Sequence, residues 1–132
     1  MNQQSRSYVK KVLDAVDAMD VPTYLSFLTD DCQFRLADMP AMVGTAAIVE
    51  GLKMTFSSLA SVRHTVQEVW EQPGVIVLRG EATYTRKDRV VVTIPFVNVW
   101  GMKGDKIASY AVHGDFSPLH AAPAPVAVAR AS

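Results

Sequence analysis

An α+β fold, with helices gathered on one face of a bent and mostly antiparallel sheet, follows from three observations. The stretch from Val75 to Ser117 reads as three long strands joined by two tight polar breaks, Arg86-Lys87-Asp88-Arg89 and Lys103-Gly104-Asp105. Gly, Asp and Lys between runs rich in Val, Ile, Thr, Tyr and Phe are a hairpin signature. Ahead of that stretch lie three segments with helical spacing of apolar residues. Their apolar stripes need a surface to cover, and the concave side of the sheet is the one on offer.

The elements follow in order. Tyr8, Val9, Val12, Leu13, Val16 and Met19 recur at helical spacing, which predicts one helix from about Ser5 to Met19, capped by Ser5 or Ser7. Asp20-Val21-Pro22 ends it and starts a second, short helix, because Asp caps an N-terminus and Pro is tolerated in a first turn. Tyr24, Leu25 and Leu28 give that helix its buried side, and Asp30-Asp31 end it. A strand follows at 32–36, then a loop from Ala37 to Gly44. Thr45 is expected to cap a third helix with Ile48, Val49, Leu52, Phe56 and Leu59 as its stripe. A strand over about 62–71 leads through Gln72-Pro73-Gly74 into the long meander.

Composition narrows the function. At 132 residues the chain is one domain, expected over 1–120, with an Ala/Pro-rich disordered tail at 121–132. It is 49% hydrophobic and 20% charged, with zero net charge, so nothing draws it to nucleic acid or an anionic membrane. No apolar run approaches the ~20 residues of a membrane span. The polar start MNQQSRSYVKK has no signal-peptide core, which makes a cytoplasmic setting the expectation. Cys32 is the single cysteine, so no intramolecular disulfide forms. His64, His113 and His120 lack metal-ligand spacing, and no phosphate loop or nucleophile elbow is present. The expectation is neither metal nor other cofactor.

Several pieces resemble the nuclear transport factor 2-like superfamily, in its SnoaL-like branch. They are Phe27-Leu-Thr-Asp-Asp31, Gly44-Thr-Ala-Ala-Ile48, Gly104-Asp-Lys-Ile107 and the ending Tyr110-Ala-Val-His-Gly-Asp115. Ketosteroid isomerase, limonene epoxide hydrolase, scytalone dehydratase and the SnoaL polyketide cyclases share that pattern. The resemblance implies a cone-shaped barrel, open at one end and often dimerised through the outer face of its sheet. The positions matching the isomerase's aspartate, second carboxyl group and tyrosine are Leu36, Val97 and Val12, all apolar, so that machinery is not expected. The hydrolase comparison matches its Arg-x-Asp pair to Arg79-Gly80-Glu81, its Asn-Met-Pro to Asp38-Met39-Pro40 and a last-strand Trp to Tyr110. Its second Asp falls on Val112 and its loop Tyr on Leu36.

The candidate catalytic residues are Asp38, His64, Arg79 and Glu81. Arg79 and Glu81 alternate onto one strand face. They form either a pocket pair, with the carboxylate as general base, or an outer-face ion pair. Asp38 lies beside an apolar Met39–Met42 loop whose burial would raise its pKa; capping is the alternative. His64, placed on a face with Val66, Glu68 and Trp70, could shuttle a proton near neutral pH or be structural. Asp115 resembles the cyclases' acid/base Asp in position; a strand-end residue that anchors the C-terminus is the favoured alternative. Leu36, Tyr84, Phe96, Trp100, Tyr110 and Val112 are the expected lining. Val90, Val92, Ile94, Phe96 and Trp100, or their alternates, exceed what one concave face can bury, which predicts a homodimer. The function expected is cofactor-independent proton transfer, of the cyclase, isomerase or epoxide-hydrolase kind, on a small hydrophobic oxygenated molecule. The alternative is a non-catalytic module that binds a small ligand or dimerises.

Overall fold

The computed structural model describes residues 3–120. The expected tail at 121–132 lies outside them. Helices α1 (Gln3–Asp17) and α2 (Val21–Leu25) lead into strand β1 (Leu28–Leu36). A two-residue strand, β2 (Met42–Val43), and helix α3 (Thr45–Ser57) precede the meander of β3 (Leu59–Gln72), β4 (Val75–Arg86), β5 (Val91–Lys103) and β6 (Lys106–His113). One turn of helix, α4 (Ser117–His120), closes the described chain. The six strands form one curved sheet in the order β2-β1-β6-β5-β4-β3, with β1 parallel to β6 and every other pairing antiparallel. The sheet is not closed into a barrel, since β2 and β3 remain edges.

Burial follows the period of each element. Val9, Val12, Leu13 and Ala15 on α1 are buried against the sheet, as are Ile48 and Leu52 on α3. Each large side chain fully buried in this way contributes about 1.5–3 kcal/mol. On β5 the alternation runs Ile94, Phe96, Asn98, Trp100 inward and Thr93, Pro95, Val97 outward. Tyr8 packs edge-on against Phe27 and Trp100, tying α1 to the centre of the sheet.

Several boundaries differ from the sequence reading. Asp30 and Asp31 lie inside β1, because that strand's edge leaves their side chains exposed while Leu28 and Cys32 are buried. Gly44, at φ 87°, takes the N-cap place of α3, with Thr45 as the first helical residue. Pairing between β3 and β4 shifts register between Val66 and Glu68. A bulge inserts one residue and reverses the side-chain alternation beyond it. Val62, His64 and Val66 therefore face inward, while Glu68 and Trp70 turn to the outer side. Gly80 faces this bulge so closely that a Cβ there would lie 2.0 Å from the Thr65 carbonyl oxygen.

Candidate functional site

Asp17 is the last residue of α1, where a negative charge meets the negative end of the helix macrodipole. The position is offset by a specific partner. Oδ1 of Asp17 lies 2.5 Å from Nδ1 of His64, and Oδ2 accepts the His64 backbone N–H at 3.0 Å. The carboxylate thus grips β3 by both backbone and side chain. An acceptor at Nδ1 places the neutral ring's proton there and leaves the lone pair on Nε2. Nε2 has no partner among the described residues. The two side chains are 11% and 23% exposed, which keeps the pair shielded but reachable. Phe96 holds the imidazole edge-on, with ring centroids 5.4 Å apart.

Tyr84 connects this pair to the interior. It packs edge-on against Phe116, and its hydroxyl is pushed up to about 12 by burial and then by the Asp17 carboxylate. It is a neutral hydrogen-bond donor at physiological pH. Deeper in, Asn98 Nδ2 donates to the Tyr110 hydroxyl at 3.3 Å. Burial drives Tyr110 upward, opposed by donors that converge from Tyr24, Trp100 and Asn98; the neighbouring Tyr84 adds to the rise. The Trp100 contribution is a near approach only, since Trp100 Nε1 and Asn98 Oδ1 have no partner in hydrogen-bond geometry among the described residues. Phe34 stacks on Tyr110 at 5.0 Å, and Leu36 pairs with Val112 beside it. Of the six residues expected as lining, Phe96, Trp100 and Tyr110 are buried and Leu36, Tyr84 and Val112 are half-buried.

The other expectations are redistributed. Arg79 and Glu81 do share a face, but it is the outer one. Inward places on β4 belong to Ile76, Leu78, Gly80 and Ala82. Arg79 bonds Glu68 at 2.6 Å and Gln67 at 2.8 Å, and Glu81 is exposed. The pocket pair is therefore replaced by a solvent-facing ion pair. Asp38 sits exposed in a turn closed by Met39 N–H to Leu36 O, so the Met39–Met42 loop does not bury it. Asp115 accepts from the Ser117 side chain and from the Ser117 N–H at the start of α4, and these bonds hold its carboxyl below the usual range. His113 pairs with Val97 on the exposed side. Asp17 and Asn98 are absent from the sequence-derived set. Val97, matched there to a buried carboxyl, is 38% exposed; its neighbour Asn98 holds the inward place.

A cavity of about 400 Å³ opens at the far end of the sheet, lined among others by Tyr8, Glu71, Ile76, Met102 and Asp105. None of the expected site residues lines it. No imidazole, thiol or cation faces it, and Glu71 is bonded to Ser5. Acid–base chemistry is better served by Asp17 and His64. Among the described residues no cluster of His, Cys, Asp or Glu could hold a metal, and no helix is long and apolar enough to cross a membrane.

Known structures repeat this architecture. An NTF2-like protein of unknown function from Burkholderia pseudomallei superposes with a TM-score of 0.80 at 19% identity, over 89% of this chain and 95% of that one. TerC, co-crystallized with polyporic acid, gives 0.78 at 20% identity, over 88% and 95%. A SnoaL-like polyketide cyclase, so described, from Shewanella putrefaciens gives 0.77 at 14%, over 91% and 96%. At these identities the likeness shows the fold alone. A comparison with curated proteins finds no match. The family description "SnoaL-like domain" matches residues 9–110, from α1 to the Tyr110 of β6. That span contains Asp17, His64, Tyr84, Asn98 and Tyr110, and the chain belongs to the SnoaL-like domain family.

Proposed function

We propose that the protein catalyses cofactor-independent proton transfer on a small hydrophobic, oxygenated molecule, with His64 as the acid–base group and Asp17 as its positioning residue. The observation that carries this reading is the two-point grip of Asp17 on His64. It fixes the ring and leaves the lone pair on Nε2, which is how a general base is kept in one tautomer. Tyr84 supplies a neutral donor for a developing oxyanion. Two neighbours of the same fold support the reading: one is described as a SnoaL-like polyketide cyclase, and TerC was co-crystallized with polyporic acid.

The test is exchange of acidic C–H protons into D2O, followed by NMR for a panel of cyclic and aryl ketones. Wild-type protein should accelerate exchange for at least one of them. His64→Gln should lose on the order of 10²-fold or more. Equal rates with the wild-type and His64→Gln proteins would remove the proposal.

A homodimer belongs to the same reading. Trp70, Val77, Val99 and Ala111 form a register-matched band across four strands on the outer face, with Val97 in the next row. Trp70 is 44% exposed in the monomer. A second copy laid against this band would cover it, with Arg79 and Glu68 at its edge. Sedimentation at micromolar concentration should give twice the chain mass, and a monomer there would end the idea.

A further inference from the structure

Three elements wall the cavity of about 400 Å³ at the far end of the sheet: the start of α1, the β3–β4 turn and the β5–β6 turn. Hydrogen bonds fix these walls against one another. The Met102 N–H donates to the Gly74 carbonyl at 2.8 Å, and the Tyr8 hydroxyl donates to the Asp105 carbonyl at 3.0 Å. Gly74 and Gly104 take the left-handed backbone, at φ 76° and 63°. A Cβ built on either would meet nothing within 4 Å, so the space beside both turns is open. Tyr8, Ile76 and Met102 give the cavity an apolar wall. Its volume falls in the range of small-molecule sites, about 300–1,000 Å³.

The charge of the cavity is one-sided. Glu71 and Asp105 line it, and no Lys, Arg or His does. Glu71 is answered within the protein, because it bonds Ser5 in the first turn of α1, at the positive end of the helix dipole. Asp105 is not. Among the described residues no hydrogen bond or ion pair engages its carboxylate, and its neighbours Lys103 and Lys106 do not line the cavity. The Tyr8 hydroxyl, pushed up to about 12 by burial and then by Asp105, stays neutral beside it. An anion would be repelled here. A purely apolar molecule would strip water from the carboxylate and replace nothing. A metal ion would want a third carboxylate, imidazole or thiolate, and among the described residues none joins the two. An ammonium supplies both the opposite charge and the N–H donors. We infer that this cavity is a second ligand site, for an organic ammonium: Asp105 holds the charged nitrogen, and Tyr8, Ile76 and Met102 cover its apolar body. Neither Asp17 nor His64 lines the cavity, so the inference is independent of the proton-transfer reading.

The experiment uses the full chain and two probes, 2-phenylethylamine and 2-phenylethanol, which share a body and differ in charge at neutral pH. Binding is followed by the backbone 1H–15N signals of Gly74 and Gly104, with the Asn98 signal reporting on the interior. The expected result is that the amine shifts both glycine signals and leaves Asn98 in place. It should also bind at least tenfold tighter than the alcohol, about 1.4 kcal/mol. Asp105→Asn, at an exposed turn position, should weaken amine binding about tenfold and leave the alcohol unchanged. Equal affinity of the two probes in wild-type protein would overturn the inference. So would a shifted Asn98 with unmoved glycine signals, or an amine preference that survives Asp105→Asn. The wild-type comparison decides the matter even if Asp105→Asn fails to fold.

Discussion

Replacing Asp17 by Asn tests the pair on which the proposed chemistry depends. The substitution keeps shape and removes charge. The Asn carbonyl can still accept the His64 backbone N–H, now without charge assistance. Its NH2 must then face Nδ1 as a donor, forcing the ring proton onto Nε2 and the lone pair onto Nδ1. A hydrogen bond to a charged group contributes about 1.5–3 kcal/mol. Two are weakened, at 2.5 Å and 3.0 Å, with the carboxylate 23% exposed. Removing a negative charge from the helix C-terminus returns about 0.3–1 kcal/mol. The net loss is then about 1–2 kcal/mol, or roughly 4–8 °C in Tm for a chain this long. Long-range 1H–15N correlation spectra at pH 8 should show the imidazole proton moving from Nδ1 to Nε2. Proton-transfer activity should fall on the order of 10²-fold or more. An unchanged tautomer together with a Tm within about 1 °C of wild type would refute the reasoning.

Gly80→Ala drives a Cβ into the Thr65 carbonyl and should cost about 3 kcal/mol by urea denaturation; a wild-type curve would show that the bulge yields freely. Arg79→Ala and Glu81→Gln should each change stability by less than about 1 kcal/mol and leave exchange activity intact, because the Arg79–Glu68 pair is 47% and 42% exposed. Tyr84→Phe addresses alkaline stability. The folded hydroxyl titrates at about 12, above its ordinary value near 10, so its contribution is whole below pH 10 and is lost as pH rises through 12. The wild-type protein should therefore lose on the order of 2 kcal/mol more than Tyr84→Phe between pH 9 and pH 12 in paired denaturation curves; parallel curves would contradict the assigned burial.

Much of the fold was legible because long elements impose their own period. The two hairpins of the meander form at Arg86–Arg89 and Lys103–Asp105, where a short polar break admits only a tight reversal. Arg89 and Gly104 adopt the left-handed backbone those reversals need. Element ends were less legible. Asp30 and Asp31 look like a break in sequence, yet an edge-near strand tolerates them with both side chains in water. The face of Arg79 and Glu81 was in fact readable from β4 alone. Val75, Val77, Arg79, Glu81 and Thr83 alternate with Ile76, Leu78, Gly80, Ala82 and Tyr84, and only the second set is free of charge. The side of Trp70 was not readable, because a bulge adds one residue without any compositional mark.

The site residues absent from the sequence reading fail for a shared reason. Each is a polar group whose local context looks ordinary and whose partner is far along the chain. Asp17 directly follows the apolar stripe of α1, as any solvated helix end would, and its partner His64 lies 47 residues on. The available signal was electrostatic: an acid in the last turn opposes the helix dipole and so calls for a compensating donor. Asn98 interrupts the inward set Ile94, Phe96, Trp100, an unfavourable residue to bury without a task. The isomerase-like match falls on its neighbour Val97, and a slip of one exchanges the concave face for the outer one. Both residues are locally unfavourable, and both bond directly to a residue of the candidate site. Where local preference and placement conflict in this chain, the conflict marks the interior site rather than the scaffold.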